Sequence, residues 1–356
     1  MKKVAIVGIQ GVPAKYGGFE TLVENIIGEN CSEDVQYTVF CSSRDFAEKR
    51  DSYKGVSLKY VPIFHANGAQ STLYDILSMM RCIRGYDTVV ILGVSGCIFL
   101  PVLRFFYRKR LIVNIDGLEH RRDKWGGFAK WFLRKSEAMA VKYADVVIAD
   151  NKGIVDYVTE TYGKPSQLIA YGGDHVVRCV SSDIQRQVLE KYGLKKGDYS
   201  ISVCRIEPEN NCHITLEAFA GKKDKLVFIG NWDRSTYGKS LKEKYSRYSN
   251  IHILDAVYDL DVLYTLRSNA RLYIHGHSAG GTNPSLVEAM FFGIPIACYD
   301  VVYNRETTLG KAYYYLDASS LSSLVCLCDL SGSSMREIAS EIYTWKHIAQ
   351  QYEALY

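Results

Sequence analysis

Four groups of residues combine types and spacings suited to a ligand that carries both phosphate and hydroxyl groups. The densest lies in YIHGHSAGGTNPSLVEAMFFGIPIACYD, residues 273–300. Tyr273, Ile274 and His275 close an apolar strand, Gly280 and Gly281 permit a tight turn, and Asn283 suits an N-cap before Pro284 at the first helical position. This predicts a helix start with free backbone N–H groups, which binds phosphate through unpaired donors and the positive end of the helix dipole. Glu288 follows within the first turns, where a carboxylate accepts hydroxyl hydrogens of a ribose or sugar.

A second group, Val203-Cys204-Arg205-Ile206-Glu207-Pro208-Glu209-Asn210-Asn211, follows another apolar strand. Arg205 at that strand's end offers a guanidinium fork for two-point pairing with a diphosphate. The third is a loop after the strand RLIVNI: Asp116, Gly117, Leu118, Glu119, His120, Arg121, Arg122. Asp116, nearest the strand end, is the candidate base for an incoming hydroxyl; His120 shares that candidacy, Glu119 stands beside it, and Arg121 and Arg122 are candidates for an acceptor phosphate. The fourth is the loop Gln10 to Gly18, where Gly17 and Gly18 let backbone approach a ligand closely. Neither GxGxxG nor GxxxxGK[ST] occurs, which disfavours a nicotinamide cofactor and a P-loop.

Two patterns are set aside. Asp259-Leu260-Asp261 has the form of a metal-binding DxD, but Leu260, Leu263 and Leu266 keep helical spacing and predict a capped surface helix. Cys326 and Cys328 lack metal-ligand partners and are expected to be buried thiols. No bound metal and no other cofactor is expected.

These loops need rigid strands behind them, and the chain supplies such strands in alternation with helical patterns. VAIVGI, YTVFCS, LKYVPI, TVVILG, RLIVNID, DVVIAD and QLIAYGG occupy the first half; after a polar break near residues 173–183 come ISVCR, KLVFIG, NIHILDA, RLYIHG, IPIACYD and AYYYL. Strand–helix alternation implies parallel sheets covered on both faces. An α/β protein of two doubly wound, Rossmann-like domains is expected, with ligands at strand carboxyl ends facing a central cleft. The expected domains are 1–173 and 174–340, and the stretch from about Ser334 onward reads as helical throughout.

A chain of 356 residues suits two domains, and 47% hydrophobic with 23% charged residues excludes disordered and fibrous classes. A net charge of only +4 gives no reason to expect nucleic acid. Ten scattered cysteines without a CxxC pair fit free thiols in the cytoplasm. The uncharged run Val89 to Leu103 is too short to span a bilayer. Two basic, aromatic segments, Arg104 to Arg110 and Lys124 to Lys135, predict peripheral contact with the anionic inner face of the plasma membrane, with Phe106, Trp125, Trp131 and Phe132 at the interface.

Taken together, GVPAKYGGFETLVE, NIDGLE, RDKWG, KYADVVIADN, AYGGDH, CRIEPENN, YIHGHSAGGTNPSLVEAM and NRE resemble the GT-B glycosyltransferases of family 4, and within them the bacterial polysaccharide rhamnosyltransferase subgroup. The resemblance implies metal-independent transfer of a sugar, with anomeric retention, from a nucleoside-diphosphate donor to a lipid-linked saccharide in surface polysaccharide synthesis; the implied donor is dTDP-rhamnose. It implies that residues 1–173 form the acceptor side, that 174–340 bind the nucleotide-sugar and that 341–356 form a helix crossing back to the first domain. It implies further that Gly17 and Gly18 approach the donor phosphates, that Arg205 holds the diphosphate and that Glu288 binds the ribose. His277, Gly280, Gly281, Thr282, Asn283, Pro284, Ser285 and Leu286 would shape the sugar and phosphate pocket, with His277 beside Asp116 and Arg205 nearest the chemistry. The chain departs from the broad family at Asn210, usually Lys, and at Gly280, usually Glu. Three other readings remain open: another donor sugar, an epimerase of the same fold, or a catalytically silent binding module.

Overall fold

The computed structural model describes residues 1–15, 17–62, 69–115, 117–121 and 125–356. The chain divides into two compact units: Met1–Tyr171 with Trp345–Tyr356, and Gly172–Thr344.

The first unit is built on eight strands: β1 (Lys2–Val7), β2 (Val35–Ser42), β3 (Ser52–Tyr53), β4 (Val56–Val61), β5 (Thr88–Leu92), β6 (Arg110–Asn114), β7 (Val146–Ala149) and β8 (Gln167–Leu168). Their order is β3-β4-β2-β1-β5-β6-β7-β8, and every pairing but β3 with β4 is parallel. Central strands are Val/Ile-rich because helices cover both faces, and β5 is buried along its whole length. Sequence periodicity did not predict β3. It is a polar two-residue edge strand, returned to β4 by Lys54 and Gly55, both at positive φ (48° and 79°) as a tight hairpin requires.

The second unit carries β9 (Tyr199–Val203), β10 (Lys225–Ile229), β11 (Ile251–Leu254), β12 (Leu272–His275), β13 (Ile296–Tyr299) and β14 (Tyr313–Tyr315). All are parallel, in the order β11-β10-β9-β12-β13-β14. In both sheets the winding reverses once, between β1 and β5 in the first and between β9 and β12 in the second. At such a reversal the connections leave in opposite directions and open a crevice at the strand carboxyl ends.

The expected continuous helix from Ser334 is instead two helices, Ser333–Ile342 and Trp345–Glu353. Tyr343 interrupts it: its carbonyl accepts from the Gly173 N–H at 2.9 Å and its hydroxyl donates to the Thr307 carbonyl at 2.9 Å. Trp345, Ile348, Ala349 and Tyr352 bury the last helix in the first unit's core against β1 and β2 residues such as Ile6 and Val39. Tyr352 also receives the buried Asn114 amide at 2.7 Å.

Candidate active site

In the second unit the reversal between β9 and β12 places two of the predicted loops side by side. Gly276 makes this possible, since a Cβ there would stand 2.2 Å from the Asn210 carbonyl oxygen. Four bonds then join the loops. Asn211 Nδ2 donates to the Gly276 carbonyl at 2.9 Å, and the Ser278 N–H and hydroxyl both donate to the Glu209 carbonyl at 2.8 and 2.9 Å. The fourth links Asn210 Oδ1 to His277 Nδ1 at 2.8 Å. Asn210 Nδ2 is committed to the Arg205 carbonyl at 2.7 Å, so the oxygen facing His277 can only accept, and Nδ1 carries the hydrogen.

Asn210 and His277 are buried, at 4% and 5% exposure. Arg205 is exposed, and its guanidinium forms no ion pair among the described residues. The site thus holds an exposed cation, without an ion pair among the described residues, on a hydrogen-bonded base.

The glycine-rich loop differs from expectation in one respect. Asn283 caps the helix Pro284–Met290 as predicted, its side chain accepting from the Ser285 N–H at 3.0 Å. Its carbonyl also accepts from Leu286 and Val287, and Pro284 has no N–H, so the helix start offers no free donor. The available donors lie one turn earlier: the N–H groups of Gly280, Gly281 and Asn283 bond to no carbonyl or side chain among the described residues. Gly280 sits at φ 103°, a conformation that glycine adopts without strain. Thr282 is buried, and the Ser285 hydroxyl donates to Asn283 Oδ1 at 2.7 Å.

Glu288 is already engaged. Arg267 Nη1 stands 2.8 Å from one carboxylate oxygen, and His175 Nε2 lies 3.6 Å from the other. Neither partner was singled out from sequence. Arg267 reads as an ordinary helix charge, and only the fold turns its side chain inward, to 3% exposure. Deeper still, His275 has no partner for Nε2, and burial pushes its pKa down to about 3.

In the first unit the crevice between β1 and β5 is a cavity of about 610 Å³. Gly8, just after β1, makes the close approach: a Cβ would lie 2.1 Å from the Leu92 carbonyl oxygen. Ser95, Thr72, Glu119, Trp125 and Phe132 are among its lining residues. Trp125 and Phe132, expected at a membrane interface, therefore face this cavity. Trp125 Nε1 donates to Glu119 at 3.0 Å.

His120 and Arg121 turn elsewhere. His120 Nδ1 lies 3.1 Å from Glu137, a buried carboxylate that also accepts from Tyr157 and Tyr162 at 2.8 and 2.7 Å. Burial alone would raise the Glu137 pKa, but these hydrogen bonds hold it below the usual range. Arg121 stacks its guanidinium 4.8 Å from the Tyr157 ring centre. Asp116 and Arg122 lie outside the described residues.

Gly17 caps the helix Gly18–Glu29 at φ 131°, and a Cβ there would meet the Glu20 carboxylate at 1.9 Å. Glu20 instead accepts from the Gln10 N–H at 2.9 Å, and Glu24 from the Ala14 N–H at 2.6 Å, which draws the loop onto its helix.

The two set-aside patterns also resolve. Asp259 caps the helix Leu260–Ser268, accepting from Asp261 and Val262, while Asp261 pairs with Arg178 at 2.7 Å. Cys326 and Cys328 are exposed rather than buried, because they follow the end of the helix Ala318–Val325.

Two parallel-sheet units, each with its loops gathered at the reversal, define the class as the GT-B fold. Residues 184–314 match the glycosyl transferases group 1 family, and residues 1–174 match a domain of unknown function, DUF1972. Among solved structures the fold is similar to sucrose-phosphate synthase from Thermosynechococcus elongatus (TM-score 0.80, 15% identity, covering 100% of this chain and 98% of that one). It is likewise similar to HepE from Anabaena, solved in complex with UDP (TM-score 0.77, 15% identity, 99% of each chain). A curated relative, O-antigen chain mannosyltransferase B from Escherichia coli, is 27% identical over 194 residues, 49% of this chain and 50% of that protein. The chain thus matches about half the length of this relative.

Proposed function

We propose that the protein is a glycosyltransferase that moves a sugar from a nucleoside-diphosphate donor to a saccharide acceptor, in the synthesis of a surface polysaccharide such as O-antigen. One observation carries the reading: the exposed Arg205 guanidinium and the unengaged N–H groups of Gly280, Gly281 and Asn283 lie at the ends of adjacent strands, β9 and β12. A pyrophosphate needs this combination of a charged fork and preorganised backbone donors. The group 1 match, the O-antigen relative and the UDP bound in HepE support the same reading.

Donor chemistry follows from the loop. With Arg205 and neutral N–H donors facing the diphosphate, leaving-group charge is stabilised without an assigned metal, and positioning supplies much of the rate. His277 is held beside this loop by its hydrogen bond to Asn210. Gly280 puts no carboxylate at the sugar end of the loop, which suits a 6-deoxy sugar with fewer hydroxyls to hold. dTDP-rhamnose, transferred with retention, is the proposed donor.

The cavity between β1 and β5 is the proposed acceptor site, and a lipid-linked saccharide is the proposed acceptor. Phe105 and Phe106 are 72% and 60% exposed on the helix Leu100–Phe106, and Phe128 and Trp131 stack on the next helix, Gly127–Tyr143. Arg104 and Lys109 are paired with Asp145 and Asp87, whereas Arg108, Arg134 and Lys135 form no ion pair among the described residues and remain available to anionic lipid. No helix among the described residues is long and apolar enough to cross a membrane. Titration with UDP, dTDP and GDP tests the donor reading; binding of none would favour a silent module.

A further inference from the structure

The first unit's cavity contains a feature that no expectation from sequence covered. Ser71 and Thr72 line its wall from the helix Ala69–Arg81, and Ser95 lines the facing wall just beyond β5. Asp75 is on the same helix face, four residues past Ser71 and three past Thr72. It is 5% exposed, and the Ser95 hydroxyl donates a short hydrogen bond to Asp75 Oδ2. No cation pairs with Asp75 among the described residues.

A buried carboxylate without a cation costs stability, and this one sits behind Ser95, which lines an open cavity, so a use for it is called for. The packing around it allows little movement. Gly96 has no room for a Cβ, which would stand 2.4 Å from Asp75 Cβ. The Val94–Ser95 segment is anchored from behind by Ser136, whose hydroxyl donates to the Val94 carbonyl at 2.5 Å and also lies 3.4 Å from the Ser95 carbonyl.

A serine hydroxyl has one hydrogen and two lone pairs. With its hydrogen given to Asp75, Ser95 Oγ can offer only lone pairs to a molecule in the cavity. We propose that Ser95 is the hydroxyl-binding residue of this cavity and that Asp75 is the positioning residue that makes Ser95 Oγ a hydrogen-bond acceptor for a saccharide hydroxyl. The inference rests on the reading of this cavity as the acceptor site. Trp125 and Phe132 supply apolar surface for a sugar ring face, and Glu119 is a second acceptor.

The arrangement carries a pH signature. Burial pushes the Asp75 carboxyl up to about 7, with the Ser95 hydrogen bond opposing it. The titratable groups facing Asp75 are Tyr74 on its own helix and Cys97 on the turn Cys97–Phe99, both held neutral by burial. Protonated Asp75 would donate to Ser95 and free the serine hydrogen, reversing the polarity shown to the ligand.

The test is calorimetric titration of octyl β-D-glucoside and octyl α-D-mannoside, below their micellar concentrations, into wild type, Ser95→Ala and Asp75→Asn at pH 6 and pH 8. At least one probe should bind wild type more tightly at pH 8. Both variants should bind it about tenfold more weakly, as loss of one hydrogen bond predicts, and should lose the pH dependence. Failure of wild type to bind either probe, or variants that match wild type at both pH values, would overturn the inference. If Asp75→Asn does not fold, Ser95→Ala decides alone. UDP titrated into the same preparations separates the two claims: UDP binding judges the donor reading, and the glycoside titrations judge this one.

Discussion

His277 Nδ1 stands 2.8 Å from Asn210 Oδ1, and both side chains are buried at the point where the loops after β9 and β12 meet. This pair joins the two loops, and Asn210 Nδ2 also holds the Arg205 carbonyl, while the Arg205 guanidinium forms no ion pair among the described residues.

Asn210→Leu should therefore destabilise the protein. It strands the His277 Nδ1–H, at a cost of roughly 1–3 kcal/mol for a buried unsatisfied polar group, while the Arg205 carbonyl keeps the Glu207 N–H at 3.0 Å. Urea unfolding monitored by tryptophan fluorescence measures this. An unchanged midpoint would mean that the loops are held by their backbone contacts alone.

The Arg267–Glu288 pair makes a second prediction. Glu288→Ala leaves Arg267 buried without its partner and should cost about 3–5 kcal/mol. Replacing both residues by methionine removes the uncompensated charge and should recover most of that loss. A double variant as unstable as the single one would show that the pair is not the origin of the effect.

Two buried groups give opposite pH dependences. His275, with its pKa lowered to about 3, remains neutral in the native state, so its contribution to stability is lost as pH falls below about 6.5. Asp75, raised to about 7, holds a proton that the unfolded chain releases near 4, so it costs stability as pH rises from about 4 to 7. Relative to wild type, Asp75→Asn should gain about 1.4 kcal/mol per pH unit across that window. Stability curves at pH 4.5, 5.5 and 6.5 provide the comparison, and a pH-independent difference would contradict a raised Asp75.

Membrane contact is tested by cosedimentation with vesicles containing an anionic lipid. Phe105→Ser with Phe106→Ser should reduce binding at least several-fold while leaving nucleotide affinity intact, because both rings are exposed and lie far along the chain from the donor loop. Equal binding by wild type and variant would remove these rings from the interface.

Much of the fold was legible from sequence. Strands such as Thr88–Leu92 and Leu272–His275 are short Val/Ile-rich or aromatic runs bounded by polar or glycine-rich loops, and parallel strands buried on both faces have that appearance. The positions of Arg205 and Gly280 in loops following such runs were also legible, and the structure places them after β9 and β12. Residues whose role depends on a distant partner were not. Asp75 is an unremarkable polar position in an amphipathic helix until the sheet brings Ser95 against it. Glu137 reads as a surface charge until His120, Tyr157 and Tyr162 converge on it, and Arg267 until Glu288 faces it. The Asn283 helix start misled for a local reason: a good cap consumes the donors that a phosphate would use.

The central claim is that Arg205 and the Gly280–Asn283 loop bind a nucleoside diphosphate, and its most direct test is calorimetric titration of UDP, dTDP and GDP into wild type and Arg205→Ala. The account predicts binding of at least one nucleotide, with dTDP the tightest. It predicts a loss of roughly 10–100-fold in Arg205→Ala at unchanged thermal stability, since a charge-assisted hydrogen bond contributes about 1.5–3 kcal/mol and the guanidinium forms no ion pair among the described residues. Absence of binding by all three nucleotides, or equal affinity in the variant, would contradict it.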